Sequence, residues 1–182
     1  MNTRKLLVAV GVILIAVAAF MMLDQVWLRA HLGGADSQLQ LAYAYGTGKG
    51  VDIDPVQATL WYRRAAEQGD VRAQLALAAR YDAGEGVQED SEQATQWYER
   101  AANQGSPAAQ LALASRFREG LGAPKDDVRS AMWLILSDRY AASQTSGQNL
   151  LAELKASLDP DQLAEARQIA ADWRAAHPQA KP

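Results

Sequence analysis

Between about residues 35 and 177, apolar positions recur at helical spacing. The second of several such stretches shows it most plainly. From Val71 to about Ala83, Ala73, Leu77 and Tyr81 fall at i, i+4 and i+8, with Ala78 beside them. That spacing lays one apolar stripe along a helix capped by Asp70. Gly84-Glu85-Gly86 ends it, because glycine takes left-handed conformations without a Cβ clash. Asp90 is placed to cap a following helix, with Gln93 at the third helical position for a capping box. That helix carries Ala94, Trp97, Tyr98, Ala101 and Ala102, and Gly105 closes it.

The whole pattern occurs three times. Trp61, Trp97 and Trp133 are 36 positions apart. The same shift superimposes Leu41, Leu77 and Leu113; Tyr45, Tyr81 and Phe117; Gly48, Gly84 and Gly120; and Asp54, Asp90 and Asp126. Asp54-Pro55 and Ser106-Pro107 each put a capping residue before a proline at the first helical turn, where the missing N–H costs nothing. Each copy is therefore a helix–turn–helix hairpin. A period of about 20–50 residues signals a solenoid, because one repeat cannot bury its own apolar face and must stack on its neighbours. Small residues (Ala42, Ala78, Ala114) sit where helices approach closely.

The order Ala, Leu, small residue, Tyr, Gly-x-Gly-Val, Asp, Ala, Trp-Tyr, Ala-Ala, Gly resembles the Sel-one-like repeat family, relatives of the tetratricopeptide repeats. The match is most complete over Ala73 to Gly105 and strong over Gln38 to Gly69. The third copy departs from it: Ala123 replaces valine, Ser130 and Ser137 replace alanines, and Ala141 replaces the closing glycine. The resemblance covers about residues 35–141. It implies an adaptor that holds other proteins together without catalysis.

Outside the repeats the hydropathy pattern changes. Residues 1–5 form a basic head with Arg4 and Lys5. Residues 6–23, Leu6 to Leu23, are an unbroken apolar run of 18. As a helix it spans about 27 Å, close to a hydrocarbon core of about 30 Å. It reads as a transmembrane signal-anchor, and Arg4 and Lys5 place the N-terminus in the cytoplasm. The repeats then face the periplasmic side of an inner membrane. The competing reading is a signal peptide cleaved near Ala18, after Ala16-Val17-Ala18, which would secrete the chain to the periplasm. Its core would be longer than the usual 7–15 or so, and the mature chain would begin with Ala-Phe-Met-Met-Leu. Residues 24–34 form a juxtamembrane connector, with Gly33-Gly34 as a hinge before the first repeat.

Beyond the third repeat, residues 142–177 read as a capping pair of helices. Ile135 and Leu136 stand where copy two has Glu99-Arg100 and copy one Arg63-Arg64, so this face needs a cover. Leu150, Leu151 and Leu154 supply one apolar stripe. Asp159-Pro160-Asp161-Gln162 opens the last helix, with Leu158 and Leu163 as a hydrophobic staple and Ala166, Ile169 and Trp173 on one face. Residues 178–182 form a tail with no reason to order. The fold class is thus all-α: a right-handed α-solenoid of three repeats with a C-terminal capping pair, preceded by one transmembrane helix.

Composition adds mainly exclusions. There is no cysteine, which removes disulfides and thiol nucleophiles. A net charge of −3 with no basic face argues against nucleic acid. No HExxH, Gly-x-Ser-x-Gly, phosphate-binding loop or CxxC occurs, and the two histidines, His31 and His177, lie near opposite ends of the domain. No catalytic residue, metal site or cofactor is assigned. The repeated tryptophans read as core between hairpins; the alternative function, an extracytoplasmic cell-wall glycan-binding module, would need an exposed aromatic pair. First helices usually line the concave side of stacked hairpins. Their positions outside the repeated pattern are the candidates for a protein or peptide partner in a concave groove, and Gln40, Tyr43, Arg80 and Arg116 are the named residues. Oligomeric state is not legible.

Overall fold

The computed structural model describes residues 28, 30, 31 and 33–180, without the side chains of residues 138–140. The basic head, the apolar run 6–23 and the cleavage position near Ala18 lie outside the described residues. Among the described residues no helix is long and apolar enough to cross a membrane, and no strand occurs. The chain forms two compact units that divide between Asp70 and Val71.

The first unit contains α1 (Ala35–Thr47) and α2 (Pro55–Glu67), packed as a hairpin. Leu41 and Ala42 bury against an interior that includes Ala58, Trp61, Tyr62 and Ala65. Gly48 ends α1 in the left-handed region at φ 73°. The Asp54 carboxylate accepts the Val56 and Gln57 N–H groups, both at 3.0 Å, and so satisfies orphan donors at the start of α2. Upstream, Ala30 is buried and Gly33 turns at φ 105° with its N–H on the Ala30 carbonyl. Gly69 and Gly105 make the same turn on Ala66 and Ala102. Ala30 and His31 are helical, and the Gln38 amide donates to the Ala30 carbonyl from α1 at 3.1 Å.

The second unit contains α3 (Val71–Ala83), α4 (Ser91–Asn103), α5 (Pro107–Glu119), α6 (Asp127–Ser143), α7 (Thr145–Ser157) and α8 (Pro160–Ala176). Consecutive helices from α3 to α7 pack on one another, and α8 returns onto α6. Asp90 and Asp126 cap α4 and α6 through their carboxylates. The capping box expected at Asp90 and Gln93 is only half formed. The Asp90 N–H is already spent on the Tyr81 carbonyl at 2.9 Å, a bond repeated by Asp54 to Tyr45 and Asp126 to Phe117. Each cap thus ties the second helix of a hairpin to the end of the first. The full box occurs at α8, between Asp159 and Gln162.

Two departures of the third copy have structural consequences. Ala141 cannot close the helix as Gly69 and Gly105 do, and α6 runs on to Ser143. Gly147 in α7 then lies so close to the Ala141 carbonyl that a Cβ there would overlap it. Ser130 is fully buried and donates to the Ala114 carbonyl at 2.6 Å, so its hydroxyl is satisfied where the other copies have a methyl. The face of α8 differs from expectation: Ala166 and Ala170 are buried, while Ile169 is exposed. The tail also differs, because the chain is described through Ala180, which packs on Gly105.

Candidate functional site

Four residues on first helices carried the expected partner surface, and the structure separates them. Gln40 is exposed in α1 and donates to Asp36 Oδ2 at 2.8 Å. Tyr43, one turn on, has 54 % of its surface exposed. In the second unit Arg80 lies mostly buried, with its guanidinium 3.4 Å from the Glu85 carbonyl and 3.7 Å from the Glu85 carboxylate.

Arg116 is a correction. It is 6 % exposed and points inward. Nη1 contacts both Asp82 carboxylate oxygens, at 2.8 and 2.9 Å; Nη2 donates to the Ser91 carbonyl at 2.7 Å; Nε donates to Thr95 Oγ1 at 2.8 Å. The Tyr98 ring lies 5.4 Å away. A rigid fork of donors suits this set of acceptors, and a guanidinium so occupied offers no charge to a partner. It locks α5 to α3 and α4. Burial holds the Tyr98 phenol above its ordinary range, and the Asp82 charge adds to this while Arg116 opposes it.

The three repeat tryptophans are buried, at 3 % for Trp61 and 6 % for Trp97 and Trp133. They offer no exposed pair of the kind a sugar platform requires. Each has a cover. Arg64 lies over Trp61 at 4.3 Å and Arg100 over Trp97 at 4.2 Å, which is cation–π geometry. Copy three has Leu136 at that position, and Trp173 of α8 takes over, edge-on to Trp133 at 5.8 Å. Ile135 stays half-buried beside Leu134, Gly147 and Leu151 in an apolar hollow of about 480 Å³. His31 is exposed and sits edge-on to Trp61 at 4.6 Å. His177 ends α8 and stacks on Trp173 at 4.3 Å.

Sequence reasoning passed over a set of buried glutamines. Gln38, Gln74 and Gln110 occupy one repeat position and are each buried. Gln38 Nε2 donates to the Ala30 carbonyl, and Gln110 Nε2 to the Ala102 carbonyl. The other end of the amide accepts from a second glutamine: Gln68 onto Gln38 at 2.7 Å, and Gln104 onto Gln74 at 2.8 Å. Gln110 has no such donor, and its Oε1 is without a partner. The 36-residue register held this signal, but a glutamine on a helix reads as solvated until its neighbours are known. Among the described residues no group of three or more histidines, aspartates or glutamates is placed to hold a metal ion.

Comparison with known proteins agrees with this architecture. The family model described as Sel1 repeat matches residues 35–70, 71–106 and 107–137. The crystal structure of a Sel1 repeat protein from Oxalobacter formigenes is 34 % identical, with a TM-score of 0.64, and the match covers 72 % of this chain and 97 % of that one. A protective antigen of uropathogenic Escherichia coli, c5321, which displays an SLR fold, is 26 % identical with a TM-score of 0.53; 87 % of this chain matches 42 % of that one. Cysteine rich protein B of Helicobacter pylori, at 14 % identity and a TM-score of 0.53 over 73 % of this chain and 94 % of its own, shares the fold. A search of the curated proteins finds no match. The helices, the repeat register and these likenesses together give an all-helical, solenoid-like repeat fold.

Proposed function

The chain belongs to the Sel1 repeat family, and on that premise we propose that it is a non-catalytic scaffold for protein–protein contacts. The observation that carries the reading is how the side chains are spent. The repeat tryptophans are turned inward, the repeated aspartates are spent on capping helices, and Arg116 is spent on Asp82, Ser91 and Thr95. On α1 the varying positions Gln40 and Tyr43 face outward, with Tyr43 the largest exposed side chain. Aromatic residues with a polar end are favoured anchors at interfaces. The partner is a protein or peptide, with Tyr43 and Gln40 as its contacts on the first unit and Arg80 a separate candidate on the second.

The proposal includes location. Residues 6–23 hold the protein in the lipid bilayer of the inner membrane, and the repeats stand on the periplasmic side. The domain layout that goes with it is the head 1–5, the anchor 6–23, the connector 24–34, the repeats 35–141, the capping helices 142–177 and the tail 178–182. Crosslinking in native membranes followed by affinity capture tests the function. A specific protein partner, lost with Tyr43→Ala, is the expected result; recovery of none overturns the scaffold.

A further inference from the structure

A cavity of about 200 Å³ opens beside α8, with Gln110, Leu136, Trp173, Arg174, His177 and Ala180 in its lining. We propose that it binds the primary carboxamide of a glutamine side chain from a partner polypeptide, with Gln110 Oε1 as the acceptor. This rests on the reading of the protein as a scaffold and names one chemical feature of its partner.

The case starts from Gln110. It is 3 % exposed, and its Oε1 has no partner. Its orientation is not arbitrary: Ala102 presents only a carbonyl, so the amide nitrogen must face it and the oxygen must face away. In the two preceding copies the same oxygen receives the carboxamide of a glutamine 30 residues further on, Gln68 or Gln104. In the third copy position 140 is tyrosine, and α6 does not end there but continues to Ser143. Among the described residues no side chain returns to the oxygen. A buried acceptor left without a donor is costly, and a ligand N–H removes that cost.

The neighbouring polar side chains each have a partner at one atom. Arg174 Nη2 donates to the Ile135 carbonyl, Trp173 Nε1 faces Asn103 Oδ1, and His177 Nδ1 faces the Trp173 carbonyl. The buried atom left without a partner is an acceptor, so the requirement at that point is for a donor. A cationic donor is disfavoured by Arg174, and a carboxylate brings no proton. Leu136 and the Trp173 ring offer apolar wall for a methylene stem.

The test titrates full-length protein in detergent micelles with acetyl-Ala-Gln-Ala N-methylamide and its Glu, Lys and Leu counterparts, by calorimetry. The expected result is saturable binding of the Gln peptide, at least tenfold tighter than any counterpart, and at least tenfold weaker in Gln110→Met. Intermolecular NOEs from the glutamine side chain to the Trp173 ring localise the site without any substitution, so a variant that fails to fold leaves the test intact. Equal binding of the Gln and Leu peptides, no binding, or NOEs elsewhere would overturn the proposal. Acetamide competing as well as the peptide would overturn the polypeptide origin of the ligand. Failure of the scaffold reading shows separately, as an empty crosslinking capture.

Discussion

Arg116 shows how a charge that looks like surface chemistry becomes interior mechanics. Its acceptors Asp82, Ser91 and Thr95 lie 21–34 residues earlier in the chain, so no local pattern reveals them. The same repeat position is Ala44 in copy one and Arg80 in copy two, which reads as free variation. Removing one partner of a buried pair costs about 3–5 kcal/mol. Asp82 keeps a third of its side chain exposed, so Arg116→Met should cost about 2–3 kcal/mol, read from the urea midpoint. Arg116→Lys should recover less than half of that loss, because an ammonium cannot reach both carboxylate oxygens and the Ser91 carbonyl at once. Tyr98 adds a pH signature. Its phenol is raised chiefly by burial, so the fold favours the neutral form. That contribution is whole below the ordinary value near 10 and fades as pH climbs through the raised one. Denaturation between about pH 8 and 11 should show stability falling at the alkaline end, and Tyr98→Phe should flatten that limb.

At the level of helices, much was legible because the determinants are local. Stripes at i and i+4, aspartates at N-caps and glycines at φ near 70° specify a hairpin within 36 residues. α3 runs over Val71–Ala83 as its apolar spacing indicates. What stayed illegible depends on contacts between distant elements. Ala170 rather than Ile169 faces inward because α8 is positioned by α6, not by its own pattern alone. The tail is placed by Trp173 and Gly105, some 70 residues apart. The partner residues were the hardest, since exposure of a varying position is decided by what its hairpin leaves uncovered. The need for a cover over copy three was nonetheless visible in Ile135 and Leu136, and it yields a prediction for α8. Trp173→Ala strips the ring that lies on Trp133. A fully buried Trp→Ala change costs about 3–5 kcal/mol; Trp173 is half-buried, so about 2–3 kcal/mol is expected. Acrylamide should then quench one further tryptophan. Unchanged quenching would mean that Leu136 alone shields Trp133.

For the molecule as a whole, the decisive question is what precedes the first repeat. The last turn before α1 follows the register of the repeats: Ala30 takes the place of Ala66 and Ala102, and Gly33 that of Gly69 and Gly105. Gln38 fastens that turn to α1 and is itself held by Gln68. These two bonds hold the turn at Ala30 against the first hairpin. Upstream stand the 18 apolar residues Leu6–Leu23, and Leu28 is only five positions past their end. The lock and the anchor therefore make a joint prediction. Alkaline extraction should leave full-length protein in the membrane pellet, whereas a soluble product beginning near Ala19 would refute the anchor. In the retained protein, Gln38→Ala should speed amide exchange at Gly33 and Gln38 by tenfold or more while α2 stays protected. A change of that size corresponds to about 1.4 kcal/mol of local opening, in the range expected for a lost side chain–backbone hydrogen bond. Exchange that rises equally through α2 would instead mark Gln38 as a core residue of the hairpin, with no separate role in coupling the repeats to the bilayer.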